Sequence, residues 1–279
     1  MTWLLTESLS EFVGAANGYL RMDPVQNTVP LTVLEALRER GLSAYADNPP
    51  LFGWHESPSG EADGAFLQTP PFPVLVAGLP AASSEELIRL LAGRKPTGAN
   101  LPESAAGEFS AAWSAVTGGS IAVRVRMRLF RLNGLVPPDP FPPGAARVAG
   151  QRDFDFLVGW SREFVSETGA GNEDSARTVA DKLSHGGLTV WEDGGKPVAM
   201  ASLSRQVAGV CRVASVYTPP RDRQHGYGGA VTTAVSQQAL DEGANAVVLY
   251  TDLANPTSNA LYQRLGYRPV SERIAIELL

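Results

Sequence analysis

Chemistry is concentrated in one stretch, Val213-Ala-Ser-Val-Tyr-Thr-Pro-Pro-Arg-Asp-Arg-Gln-His-Gly-Tyr227, followed by Gly228-Gly229-Ala230. Val213 to Thr218 reads as a buried strand that Pro219-Pro220 breaks. Beyond the glycines, Val231, Ala234, Val235 and Ala239 fall at helical spacing. A strand that passes through a glycine-rich turn into a helix makes an anion site. The first backbone N–H groups of the helix have no partner within it, the helix dipole adds partial positive charge, and glycine lets a phosphate approach the backbone. Arg221 and Arg223 add full charges beside the turn. These types in this order predict a phosphate-bearing ligand at residues 223–229.

Three glycines also serve plain packing at a strand-to-helix turn, so the turn alone leaves both readings open. The spacing is neither Gly-x-Gly-x-x-Gly nor a P-loop, which needs Lys-Ser/Thr after its glycines. Arg223-Gln224-His225-Gly226-Tyr227-Gly228 instead resembles the Arg/Gln-x-x-Gly-x-Gly/Ala pattern of the GCN5-related N-acetyltransferases, the GNAT superfamily. A second stretch is similar to that superfamily's Asn-x-x-(Ser/Ala)-x-x-x-Tyr-x-x-x-Gly-Tyr/Phe segment. Here a strand, Val247 to Thr251, leads through Asp252 and Asn255 into a helix with Asn259 and Tyr262, and Gly266-Tyr267 ends it.

The resemblance implies acetyl-CoA as co-substrate and no metal. Val216, Tyr217 and Thr218 would run beside the pantetheine arm, with Val216 and Thr218 offering backbone groups to it as an added strand. The backbone of Gln224, His225, Gly226, Tyr227, Gly228 and Gly229 would hold the pyrophosphate, with Arg223 as a charged clamp. Asn255 and Asn259 would bond the cofactor arm or order water beside it. An uncharged amine would attack the thioester directly, and Tyr262 stands where the family places the acid that protonates the leaving thiolate. Tyr262 also suits a buried packing role, and the two are compatible.

Family members often carry a glutamate on the central strand, but residues 211–218 contain no acid. Asp252 is the first candidate for the base, with Glu163, Glu167 or a water chain as the others. His225 lies in the phosphate loop, too far from the thioester. His55 and His185 show no partner pattern, and no metal-ligand spacing appears. The function expected is N-acetylation of a small-molecule or protein amine. The missing strand glutamate keeps open a non-catalytic acyl-CoA sensor that docks a partner.

The elements that must position these residues follow from patterning. The 279 residues are 44% hydrophobic and 19% charged, as in soluble globular proteins. The net charge of −6 disfavours nucleic acid, and no apolar run reaches the ~18–20 residues of a membrane helix. The N-terminus lacks the cationic start and cleavage site of a signal peptide, so a cytoplasmic protein is expected. Cys211, the one cysteine, excludes an intrachain disulfide and suits a buried thiol. The sequence leaves the oligomeric state open.

Helices are expected at 6–20, capped by Thr6, at 31–40, at 85–92 behind a Ser83-Ser84 cap, and at 103–116. Strands are expected at 51–55, 65–67, 73–77 and 121–132. The last alternates apolar residues with Arg124, Arg126, Arg128 and Arg131, a solvated face suited to pairing with the acidic excess. Five prolines in Val136 to Gly144 make a stiff connector. Beyond it come helices at 153–168 and 173–184, a hairpin at 188–203, the strand and loop above, a helix to 242, a strand at 246–251, a helix at 257–265 and a last strand at 273–278. That is the element order of a GNAT domain. The first half follows a similar order, but Gly78-Leu-Pro-Ala-Ala-Ser-Ser replaces the cradle. The fold class expected is α/β (α+β): two tandem GNAT-like lobes, each a mixed sheet flanked by helices. Residues 1–135 form a degenerate lobe, 136–144 a linker, and 145–279 the acetyltransferase domain.

Overall fold

A computed structural model describes residues 2–45, 47–169 and 174–279. Strand β1 (Thr2–Thr6) leads to Ser8, whose hydroxyl accepts the Glu11 N–H at 3.3 Å and so caps α1 (Leu9–Met22). The expected cap, Thr6, lies two residues too early and instead accepts the Ser8 N–H at 3.0 Å. Along the chain follow α2 (Thr28–Arg40), β2 (Leu51–Glu56), β3 (Ala62–Gln68), β4 (Val74–Gly78), α3 (Ser84–Ala92), β5 (Gly98–Pro102), α4 (Ala106–Thr117) and β6 (Ile121–Leu132). Then come β7 (Ala145–Val148), α5 (Phe154–Thr168), α6 (Ser175–Leu183), β8 (Leu188–Asp193), β9 (Lys196–Leu203), β10 (Val210–Tyr217), α7 (Tyr227–Asp241), β11 (Ala246–Asp252), α8 (Pro256–Arg264) and β12 (Tyr267–Leu278). Glu173, the expected start of α6, lies outside the described residues; Asp174 caps that helix by accepting the Arg177 N–H at 3.0 Å.

Two compact units result, one of Met1–Leu129, Thr251–Asn255 and Val270–Leu279, the other of Phe130–Tyr250 and Pro256–Pro269. In the first, β1 to β4 pair antiparallel in sequence order, β4 pairs parallel with β5, and β5 pairs antiparallel with Arg273–Glu277 of β12. Its core includes Trp3, Phe66, Ile88, Phe109 and Ile274. The chain's last strand therefore completes the first unit's sheet. On β6 the arginines are neutralised as the acidic excess suggested: Arg124 pairs with Glu277 at 2.5 Å, Arg128 with Glu272 at 2.5 Å, and Arg126 with Glu103.

In the second unit β7, β8, β9 and β10 pair antiparallel in that order, and β10 pairs parallel with β11. Apolar side chains of α7, β9, β10 and β11 meet in one core that includes Val231, Val235, Leu203, Val213 and Leu249. Cys211 lies in it as a buried thiol. On the other face α5 and α6 cover Val190 and Met200 with Leu157, Trp160 and Val179. Both units are mixed sheets flanked by helices, the two-lobed α/β architecture expected from the sequence. Among the described residues, no helix is long and apolar enough to cross a membrane.

Candidate active site

The parallel pairing of β10 with β11 stops at Val213 opposite Leu249, yet β10 continues to Tyr217. Against β9, the register runs from Ala214–Ser202 to Tyr217–Met200, which inserts one extra residue and bulges the strand. Ser215 takes the left-handed conformation there (φ 49°), a strained state for a residue with a Cβ. Nothing in the sequence announces this bulge, because Val213-Ala-Ser-Val-Tyr alternates like any regular strand. Ser215 and Val216 lie beyond the last β10–β11 pair.

Past β10 the chain turns through Pro219–Asp222 into Gln224 (φ 67°) and Gly226 (φ 83°), and α7 begins at Tyr227. Left-handed Gly226 sits at the N-cap position, where a side chain would be strained. No side chain caps α7, and the first N–H to bond back into the helix is that of Ala230, to Gly226 O at 3.1 Å. The amides of Tyr227, Gly228 and Gly229 therefore point out of the helix end without an intrahelical partner. A Cβ on Gly228 would meet only Thr218 Oγ1 at 3.5 Å, ordinary van der Waals contact. Packing within the protein does not require glycine at that position. A helical glycine costs about 0.8–1 kcal/mol relative to alanine, and no contact within the protein repays that cost here. Gly229 is tighter, 3.3 Å from Leu261 Cδ1 of α8, and packing accounts for it.

Arg223, the expected clamp, is held by the protein itself. Its guanidinium donates to both Glu167 carboxylate oxygens, at 2.6 and 2.8 Å, and its Nε donates to Thr218 O at 2.9 Å. One turn earlier on α5, Glu163 accepts the Tyr217 hydroxyl at 2.7 Å. Burial, then the Glu163 bond, hold that phenol well above its ordinary pKa. Tyr217, Glu163, Glu167 and Arg223 thus form one hydrogen-bonded cluster at the end of the central strand. Tyr227 donates to Asp193 at 2.5 Å, and His225 stacks on the Tyr227 ring at 5.5 Å.

On α8, Tyr262 is buried, its ring edge-on to Tyr267 at 6.1 Å. Burial pushes its pKa up to about 12, so the hydroxyl keeps its proton across neutral pH. Asn259 lies one turn before it on the same helix. Asp252 closes β11 and accepts the Ala254 N–H at 2.8 Å, while the Asn255 N–H bonds Asp252 O at 3.1 Å. Asp252 and Asn255 belong to the first unit, and the other predicted site residues to the second. Among the described residues, no group of three His, Cys, Asp or Glu side chains is arranged to hold a metal ion.

Residues 153–267 match the Acetyltransferase (GNAT) family. That segment is similar to a GNAT acetyltransferase domain. Over its whole length it also has the fold of solved structures from that family. A GNAT-family acetyltransferase of Colwellia psychrerythraea is 14% identical, with a TM-score of 0.61 and 100% of each chain covered. A GCN5-related N-acetyltransferase of Sphaerobacter thermophilus is 15% identical, with a TM-score of 0.67 over 98% of this chain and 94% of that one. A Drosophila protein is likewise 15% identical, at 0.67 over 99% and 98%. No curated protein matches the chain. Similarity of residues 153–267 to that family supports acyl-CoA-dependent acetyl transfer in general terms.

The first unit has a parallel strand pair of its own, and side chains of the protein fill the space around it. Pairing of β4 with β5 stops at Leu75 opposite Asn100. Into the divergence reaches buried Arg273, which donates to Val76 O at 2.7 Å, Asn100 O at 3.0 Å and Asn100 Oδ1 at 2.8 Å. At the start of α3, Glu108 Oε1 accepts the Ala82 N–H at 3.1 Å and the Ser84 hydroxyl at 2.6 Å. A carboxylate of the chain thus stands at the helix end where the GNAT domain offers bare amides. Ser83 makes no side-chain cap bond, contrary to its expected role.

Proposed function

We propose that this protein is an N-acetyltransferase that moves the acetyl group of acetyl-CoA directly onto an amine, small-molecule or protein-borne, within a ternary complex. The observation that carries this is the uncapped α7 terminus, entered through left-handed Gly226 directly after a bulged central strand. The thioester supplies an activated acyl carbon; the rest is done by this chain. Outward amides of Tyr227, Gly228 and Gly229 would hold the diphosphate, with Gln224 and His225 flanking it and Arg223 turning from Glu167 toward it. Backbone groups of Val216, Tyr217 and Thr218 would align the pantetheine arm, and Asn255 and Asn259 would bond it. Tyr262 would return a proton to the leaving sulfur, its raised pKa ensuring that the proton is there to give. Asp252 is our candidate for taking a proton from the acceptor ammonium, so that the neutral amine attacks, with the Glu163 carboxylate as the alternative. The domain proposed to do this is 145–279, beyond the proline-rich segment 136–144, and 1–135 is a GNAT-like lobe without a cofactor cradle of its own.

The test is release of coenzyme A thiol from acetyl-CoA in the presence of a panel of amines, beside calorimetric binding of coenzyme A. Turnover that depends on an amine supports the proposal. Binding without turnover on any amine makes the protein an acyl-CoA sensor instead, and no binding removes the cradle.

A further inference from the structure

The proline-rich segment 136–144 is not a free connector. At one end the Val136 N–H bonds Leu265 O at 3.0 Å. At the other, Trp191 of β8 donates its indole N–H to Pro143 O at 2.9 Å, and the Phe141 ring stacks on the Trp191 ring at 6.0 Å and 15°. Gly144 (φ 105°) lets this end lie against β8, because a Cβ there would run into Glu192 O and the Trp191 indole nitrogen. Between its anchors the segment passes along the glycine turn. Pro142 lies 3.7–3.9 Å from where a Cβ of Gly226 would be, and Pro138 Cγ lies 3.5 Å from that of Gly229.

Phe141 is thereby a held, half-exposed ring. It is 48% exposed and nearly parallel to the Trp191 ring, and the prolines around it fix its backbone. Its neighbour in sequence, Pro142, lies beside Gly226, the residue that precedes the outward amides of α7. Two residues beyond Trp191, Asp193 fixes the Tyr227 hydroxyl on the other side of that glycine, and His225 stacks on Tyr227. A diphosphate seated on the α7 amides would project its nucleoside end from this turn. Every purine has a π-face, and a rigid aromatic platform adjacent to a phosphate cradle is what binds one.

We propose that segment 136–144 is a wall of the coenzyme site and that Phe141 is the platform on which the adenine ring of coenzyme A stacks. The proposal rests on the acetyl-CoA reading of the cradle. The experiment compares wild type, Phe141→Ala and Phe141→Trp by calorimetry with two probes, coenzyme A and 4′-phosphopantetheine, which lacks the nucleoside. Thermal melts confirm that each variant is folded. Phe141→Ala is expected to weaken coenzyme A roughly 5- to 150-fold, the range set by loss of one base–aromatic stack. Phe141→Trp should restore the affinity, and phosphopantetheine should bind all three alike. Unchanged or tightened binding of coenzyme A by Phe141→Ala overturns the platform, as does equal weakening of both probes. If the wild type binds neither probe, the cradle itself is wrong and the platform falls with it.

Discussion

Because Arg223 is already paired with Glu167, coenzyme A must break that pair before the guanidinium can reach a phosphate. Replacing Glu167 by alanine should therefore tighten coenzyme A binding. Both side chains are a little over 40% exposed, so the pair is screened by solvent despite its two short bonds. Pairs of that exposure are worth about 0.2–1 kcal/mol, and removing the competition predicts a Kd roughly 1.5- to 5-fold lower. Arg223→Ala should act the other way. Losing a charge-assisted bond to phosphate costs about 1.5–3 kcal/mol, offset by the ion pair that no longer has to break, for a net weakening of roughly 2- to 100-fold. Calorimetry at low salt and again at 0.5 M salt is the assay, and salt should shrink the Glu167→Ala gain. Glu163→Ala is the control for general charge. It removes the same charge one turn away on α5, but its partner is Tyr217 rather than Arg223. Equal tightening by both alanine variants would show a diffuse field effect. No tightening by Glu167→Ala, with Arg223→Ala still weakening the complex, would show that the ion pair does not compete with the cofactor.

Three further outcomes are expected. Tyr262→Phe should lower kcat by about 10- to 1,000-fold with little change in coenzyme A affinity, and should leave the melting temperature unchanged or higher, because the ring stays packed; an unaltered kcat retires the acid role. Calorimetry should count one coenzyme A per chain, since Arg273 and Glu108 occupy the first unit's equivalents of slot and cradle; a second equivalent bound at similar affinity refutes that assignment. Stability should fall as the pH rises above about 9. Burial pushes the Cys211 thiol up to about 11, so the unfolded chain loses that proton first and the preference for the neutral folded form, complete below pH 9, drains away between 9 and 11. Melting temperatures of wild type should therefore decline more steeply over pH 9–11 than those of Cys211→Ala, and parallel curves would contradict the assignment.

The amide cradle was legible in the sequence because its chemistry is local. A helix end exposes its first amides wherever it occurs, and Gly226 and Gly228 announce where that end is. Periodicity likewise placed β6 and β10, and the arginine alternation on β6 foretold ion pairs with glutamates. Contacts that join distant positions were not legible. The partner of Arg223 is 56 positions away. The strands β5 (Gly-Ala-Asn-Leu-Pro) and β7 (Ala-Ala-Arg-Val) carry no strand signal of their own and exist because β12 and β8 pair with them. Composition revealed a stiff proline run, but only Trp191 and the missing Cβ of Gly144 hold it against β8.

The sequence by itself thus determined that a helix end with bare amides stands just after residues 224–226, since that depends on the backbone and the absence of side chains. Tertiary structure alone decided what surrounds that helix end: the strand bulge at Ser215, the carboxylate that holds Arg223, and the side chains that fill the equivalent places in the first unit. The difference is one of range. Backbone geometry is specified by neighbours in the chain, whereas pairing energies are specified by whatever the completed fold brings within 3–4 Å.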